Sequence, residues 1–141
     1  VIYMEADDVV ECADELKSLP VPIVFDHMAR IDPDQGTDQP AFQLLLNFVK
    51  ESGAWVKITG AERLSKAGTP FHDVIPFAQK LIEVAPDNLL WGTDWPHPNI
   101  AGYMPNDGDL VDLLGKYVDG DEALLQKILV DNPARLYGFG S

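Results

Sequence analysis

Side chains capable of chemistry gather where the apolar runs stop. The run at residues 21–25 ends in Asp26-His27, with Arg30 close behind. The run at 54–59 is followed by Arg63, and the run at 89–91 leads through Gly92-Thr93 to Asp94 and then Trp95-Pro96-His97-Pro98. A carboxylate near an imidazole and a guanidinium can take a proton from water, polarise a carbonyl and hold an anion. Asp94 carries the most weight: an acid at the end of a buried run is costly without a partner or a task, and nothing structural asks for one between Thr93 and Trp95. His27 is chosen over Asp26 because neighbours on a strand face opposite ways. His97 follows a proline and reads either as a residue at a pocket mouth or as a loop anchor. His27 and Asp94 together offer two metal ligands, which is short of a site, and the chain has no His-x-His pair. Neither Gly-x-Gly-x-x-Gly nor Gly-x-Ser-x-Gly occurs, which argues against a nucleotide cofactor and against a serine hydrolase.

These residues need a scaffold that brings distant positions together. Four apolar, β-prone runs, at 1–4, 21–25, 54–59 and 89–91, alternate with stretches of helical spacing. Val9, Val10, Ala13 and Leu16 mark the first helix, with Asp7 or Asp8 as its cap and Pro20 as its end. Phe42, Leu45, Leu46 and Val49 mark the second, closed by Gly53. Val74, Phe77, Ala78, Leu81 and Ile82 mark the third, which tolerates Pro76 only in its first turn. Two further helical patterns follow the long loop at 94–107. Strands alternating with helices give an α/β protein with a parallel sheet and right-handed crossovers. All strand C-termini then lie on one face, so His27, Arg63 and Asp94 converge without any contiguous motif. A small open sheet and half of an eight-stranded barrel both satisfy this order. The start inside a strand favours the half-barrel, as one partial domain over residues 1–141 with four β/α units.

The formal charge of −13 argues against nucleic acid and against an anionic membrane surface, so an anionic substrate would need locally placed arginines. Cys12 is the only cysteine, which excludes a disulfide framework and fits a reducing, cytoplasmic setting. No apolar run approaches membrane-spanning length, and no signal-peptide pattern opens the chain.

The octapeptide Trp91-Gly92-Thr93-Asp94-Trp95-Pro96-His97-Pro98 resembles a signature of the amidohydrolase superfamily, in the branch of amidohydrolase family 2. Phe25-Asp26-His27-Met28-Ala29-Arg30 and Val130-Asp131-Asn132-Pro133-Ala134-Arg135-Leu136-Tyr137 are similar to two further blocks of that branch. Gly60-Ala61-Glu62-Arg63-Leu64-Ser65 and Met104-Pro105-Asn106-Asp107-Gly108 fit its subgroup of 2-pyrone-4,6-dicarboxylate lactonases. The resemblance implies a TIM-type (β/α)8 barrel, of which this chain looks like strands five to eight. It implies hydrolysis of 2-pyrone-4,6-dicarboxylate to 4-oxalomesaconate in bacterial breakdown of lignin-derived aromatics. Asp94 would activate water, His27 would polarise the lactone carbonyl, and Arg63 would hold a substrate carboxylate, with Arg30 and His97 as further substrate contacts. The subgroup is expected to need no metal. The alternatives are one divalent ion such as zinc in a hydrolase or decarboxylase of another small carboxylated substrate, or an inactive half-barrel. Family members carry a His-x-His pair on strand one and binding residues on strands two to five, none of which is in this chain. An N-terminal half of the same barrel, or self-association, is therefore expected to cover the edges at 1–4 and 89–91.

Overall fold

The computed structural model describes residues 1–139. Three strands, β1 (Val24–Phe25), β2 (Trp55–Lys57) and β3 (Leu89–Leu90), form a parallel sheet in the order β1-β2-β3. Val24 pairs with Trp55, and Val56 with Leu89, so each crossover returns one strand further along the sheet. The run at 1–4 is present only as a bridge from Ile2 to Phe25. It is held by the Ile2 amide on the Val24 carbonyl (2.7 Å) and the Asp26 amide on the Ile2 carbonyl (2.9 Å). The ladders are shorter than the apolar runs for local reasons. Pro22 has no amide to donate, Asp26 turns its carboxylate onto the next amide, and Gly60 takes a left-handed conformation (φ 76°) just beyond β2.

The first helical stretch is two short helices, α1 (Ala6–Glu11) and α2 (Ala13–Lys17), broken at Cys12. The second crossover carries α3 (Pro40–Ser52), which begins on a proline and ends at Gly53 in the left-handed region (φ 69°), where the Gly53 amide caps the Val49 carbonyl. The third carries the single-turn α4 (Ala61–Leu64) and α5 (Ile75–Val84). Pro76 sits in the first turn of α5, where its missing N–H costs nothing. After β3 come a long loop, α6 (Asp107–Tyr117), α7 (Glu122–Gln126), a π-turn at Lys127–Asp131 and α8 (Asn132–Tyr137).

The sheet separates two apolar layers by strand alternation. Phe25, Val56 and Leu89 face the helices and are fully buried against Phe42 and Leu45 of α3 and Phe77 and Leu81 of α5. The Phe42 and Phe77 rings meet edge-on at 4.9 Å. Each such side chain contributes about 1.5–3 kcal/mol by leaving water. Val24, Trp55 and Leu90 line the opposite face, covered by Leu136 and by the Arg135 guanidinium 4.8 Å above the Trp55 ring. Asn132, 2% exposed, donates to the carbonyls of Pro86 (2.9 Å) and Leu89 (2.8 Å) and so clamps α8 to the entry of β3. No described helix is long and apolar enough to cross a membrane.

Candidate functional site

The sheet delivers its charged groups to one rim. β1 ends at Phe25, and the chain then enters a left-handed turn, His27–Arg30, with φ of 45°, 50°, 51° and 49°. Strand alternation therefore stops before it can separate Asp26 from His27. Both reach the rim, and the His27 Nδ1 lies 3.5 Å from an Asp26 oxygen. Asp26 is otherwise committed to the His27 amide (3.1 Å) and to Lys57 (3.3 Å). His27 is buried, with Nδ1 2.9 Å from the Thr59 hydroxyl and Nε2 3.7 Å from Asp94 Oδ1. Gly60 is needed here: a Cβ at that position would lie 2.6 Å from the His27 Nδ1.

Arg63, on α4, aims its guanidinium at Asp94, with Nε at 2.6 Å and Nη2 at 2.5 Å from Oδ2. Sequence reasoning gave these two residues separate tasks; the structure pairs them. Asp94 follows β3 in a left-handed conformation (φ 64°), and its carbonyl accepts from the His97 amide (2.8 Å). His27, Asp94 and His97 (φ 55°) all occupy this sparsely populated region, at a cost of order 1–3 kcal/mol each. Met28 and Ala29 of the His27–Arg30 turn share the strain, and strained backbone that carries several ionisable residues to one rim points to a functional site.

A cleft of about 570 Å3 opens at this rim, walled among others by Tyr3, His27, Arg30, Arg63, Lys66 and Asn99. Asp94 is not itself on the wall and meets the cleft through the His27 and Arg63 side chains. Arg30 reaches it with its guanidinium 4.9 Å from the Tyr3 ring centroid and 3.2 Å from Glu5. The wall is of mixed charge: Arg30, Arg63 and Lys66 face Glu5, Asp32 and Glu62, and the two arginines are the local cations that an acidic chain can offer an anionic ligand.

His97 lies elsewhere than the cleft wall. It is buried between two carboxylates, with Nδ1 3.4 Å from Glu62 and Nε2 3.2 Å from Asp107. Glu62, read from the sequence only as part of a motif string, has a fully buried side chain. The signal that could have found it is its place beside Arg63 in the first turn after a strand end. Tyr117 was missed too: burial, and then the Glu62 charge, push its hydroxyl's pKa well up. Around the loop behind α4, partial burial pushes the Asp73 carboxyl up. The Ser65 hydroxyl and the amides of Lys66 and Ala67 outweigh that and hold it below its ordinary value.

A family model described as Amidohydrolase matches residues 1–139. The chain belongs to the amidohydrolase family. It is 42% identical to a 4-sulfomuconolactone hydrolase of Hydrogenophaga intermedia over 97% of this chain and 46% of that protein. It is 45% identical to a 2-pyrone-4,6-dicarboxylate hydrolase of Comamonas testosteroni over 97% of this chain and 48% of the relative. It superposes with a TM-score of 0.81, at 27% identity, on a probable 2-pyrone-4,6-dicarboxylic acid hydrolase of Acinetobacter baumannii crystallised with citric acid, over 97% of this chain and 51% of that one. The chain thus spans about half the length of the curated relatives it matches.

The expectation of a site without metal is corrected. Glu62, Asp94 and His97 each bring one ligand atom to within 4.8 Å of the others. An amidohydrolase of Burkholderia multivorans with the same fold (TM-score 0.69, 15% identity, 98% of this chain and 51% of that one) was crystallised with bound zinc. The sequence offered His27 and Asp94 as a pair; the fold instead sets His97 and Glu62 beside Asp94, because the turn at 94–97 folds the imidazole back onto α4. The donor set fits a divalent ion. One imidazole nitrogen and two carboxylates suit zinc, and the ring's other nitrogen faces Asp107, the arrangement that orients a metal-binding histidine. A fully buried carboxylate also needs a cation, and Arg63 comes no closer to Glu62 than 3.9 Å.

Proposed function

We propose that this chain forms the strand-five-to-eight half of a (β/α)8-barrel lactone hydrolase, residues 1–141 being one partial domain, and that its substrate is a small lactone bearing carboxylates. The observation that carries this is the Asp94 carboxylate meeting both His27 and Arg63 at the rim of a cleft that Arg30 and Arg63 reach. Relatives that hydrolyse 2-pyrone-4,6-dicarboxylate and 4-sulfomuconolactone, both anionic lactones, support that substrate class. Asp94 takes a proton from water as the oxygen adds to the lactone carbonyl. The His27 ring, turned toward Asp94, polarises that carbonyl. Collapse of the adduct breaks the ring C–O bond, the proton held by Asp94 passes to the departing enolate, and the enol becomes the ketone of 4-oxalomesaconate. Arg63 and Arg30 hold substrate carboxylates, Arg63 with the planar fork suited to bidentate contact. Glu62, Asp94 and His97 would hold a divalent ion, which when bound lends Lewis acidity near the water and the carbonyl. The rest of the barrel comes from further polypeptide or from a second copy.

The test is hydrolysis of both lactones by the intact polypeptide, followed as loss of ring absorbance. Asp94→Asn keeps the shape but cannot accept a proton, so kcat should fall by roughly 100-fold or more. Substrate binding should persist. Full turnover by the Asp94→Asn variant would remove Asp94 from its role.

A further inference from the structure

Behind the site lie two buried polar atoms, one of them the Glu62 oxygen that does not face His97. Among the described residues, only Glu62 Oε2 and the Tyr117 hydroxyl are buried side-chain polar atoms without a hydrogen-bond partner. Tyr117 ends α6 and is 2% exposed; Glu62 lies on α4 with no exposed side-chain surface. Both line one small cavity of about 10 Å3, together with Thr59, Gly60 and Gly92. That is roughly the space one water molecule requires. A buried carboxylate oxygen and a buried phenol left unpaired would each cost about 1–3 kcal/mol. They do not bond each other directly. A single bridging water would satisfy both, donating to Glu62 while accepting from the phenol.

We infer that Tyr117 is a positioning residue, acting through a water bound between its hydroxyl and Glu62 Oε2. Glu62 in turn faces His97 with its other oxygen, and the His97 amide holds the Asp94 carbonyl. The phenol therefore sits at the far end of a chain of contacts that fixes the turn carrying Asp94. The sheet does not fix that turn, because β3 ends at Leu90. This role for Tyr117 rests on Asp94 being part of the working site, whereas the water site itself does not.

The experiment is a crystal structure of the intact polypeptide, with and without Tyr117→Phe, beside steady-state kinetics on the lactones. The expected result is an ordered water within hydrogen-bonding distance of both Glu62 and Tyr117, absent in the Tyr117→Phe variant, with no anomalous signal of a metal there. Loss of such an outer-shell partner should lower kcat by roughly tenfold, while KM stays within about twofold because no substrate contact is removed. A dry cavity, a direct Tyr117–Glu62 bond or a metal at that position overturns the water site. A bridging water whose loss leaves kcat unchanged overturns the positioning role. If the intact protein hydrolyses neither lactone, the functional reading has failed, and the diffraction arm still decides the water site.

Discussion

Asp94 enters the site with its carboxylate already engaged by Arg63. The same guanidinium is proposed to hold a substrate carboxylate, so Arg63 has to divide its donors or change partner when substrate arrives. Loss of a charge-assisted contact of about 1.5–3 kcal/mol converts to a KM increase of roughly 10- to 100-fold. Arg63→Met should show that rise with the dicarboxylated lactone and a smaller one with a monocarboxylate analogue. Equal increases for the two would leave Arg63 as a partner of Asp94 alone. The metal set makes a separate demand. Intact polypeptide dialysed against zinc should retain it, and His97→Ala, which deletes one of three donors, should lose most of it by elemental analysis. Zinc retained in full by that variant would place the ion elsewhere.

At the scale of elements, short turns aim what the helices and strands only support. Gly60 shows this most sharply. It combines a left-handed backbone with a space that His27 fills. Gly60→Ala should cost about 1–3 kcal/mol from the backbone alone, seen as a lower Tm, and should shift the His27 ring resonances as Nδ1 leaves Thr59. Unchanged resonances would contradict the packing. The helices were legible in the sequence because burial imposes a period, as at Phe42, Leu45 and Val49, and because Gly53 and Pro76 punctuate their ends. Three of the four β-runs were legible as strands too, since parallel strands packed on both faces carry apolar side chains throughout. What no period records is a left-handed turn of ordinary residues. His27–Arg30 has no glycine to announce it, and that turn is what brings Asp26 and His27 to the same rim. Glu62 stayed hidden for a related reason: a one-turn helix is too short to show a buried face, and its partner His97 is 35 residues away.

For the molecule as a whole, the sheet has two ends. Beyond β1 there is only the bridge at Ile2, and beyond β3 no described strand pairs, although Asn132 takes the Leu89 carbonyl. Open edges recruit partners, while a charge of −13 drives copies apart. The 141-residue chain alone should therefore associate more strongly as salt rises and the screening length falls to about 8 Å near physiological ionic strength. Sedimentation velocity across a concentration and salt series would read this, and a monomer at every condition would defeat it.

The sheet's two-layer construction also bears on how the protein can change. Phe25, Val56 and Leu89, which hold the fold, share no side chain with His27, Arg63 and Asp94, which carry the rim's charge. Polar side chains can be exchanged at the rim without opening the core, although Met28 and Ala29 of the rim turn belong to it. The layer of Phe25, Val56 and Leu89 can be repacked without replacing an ionisable group of the rim. Across a library of variants, thermal tolerance and turnover should behave as nearly independent traits. Exceptions should gather at the few positions, Gly60, Thr59 and Tyr117 foremost, where a strand end or the core touches the site.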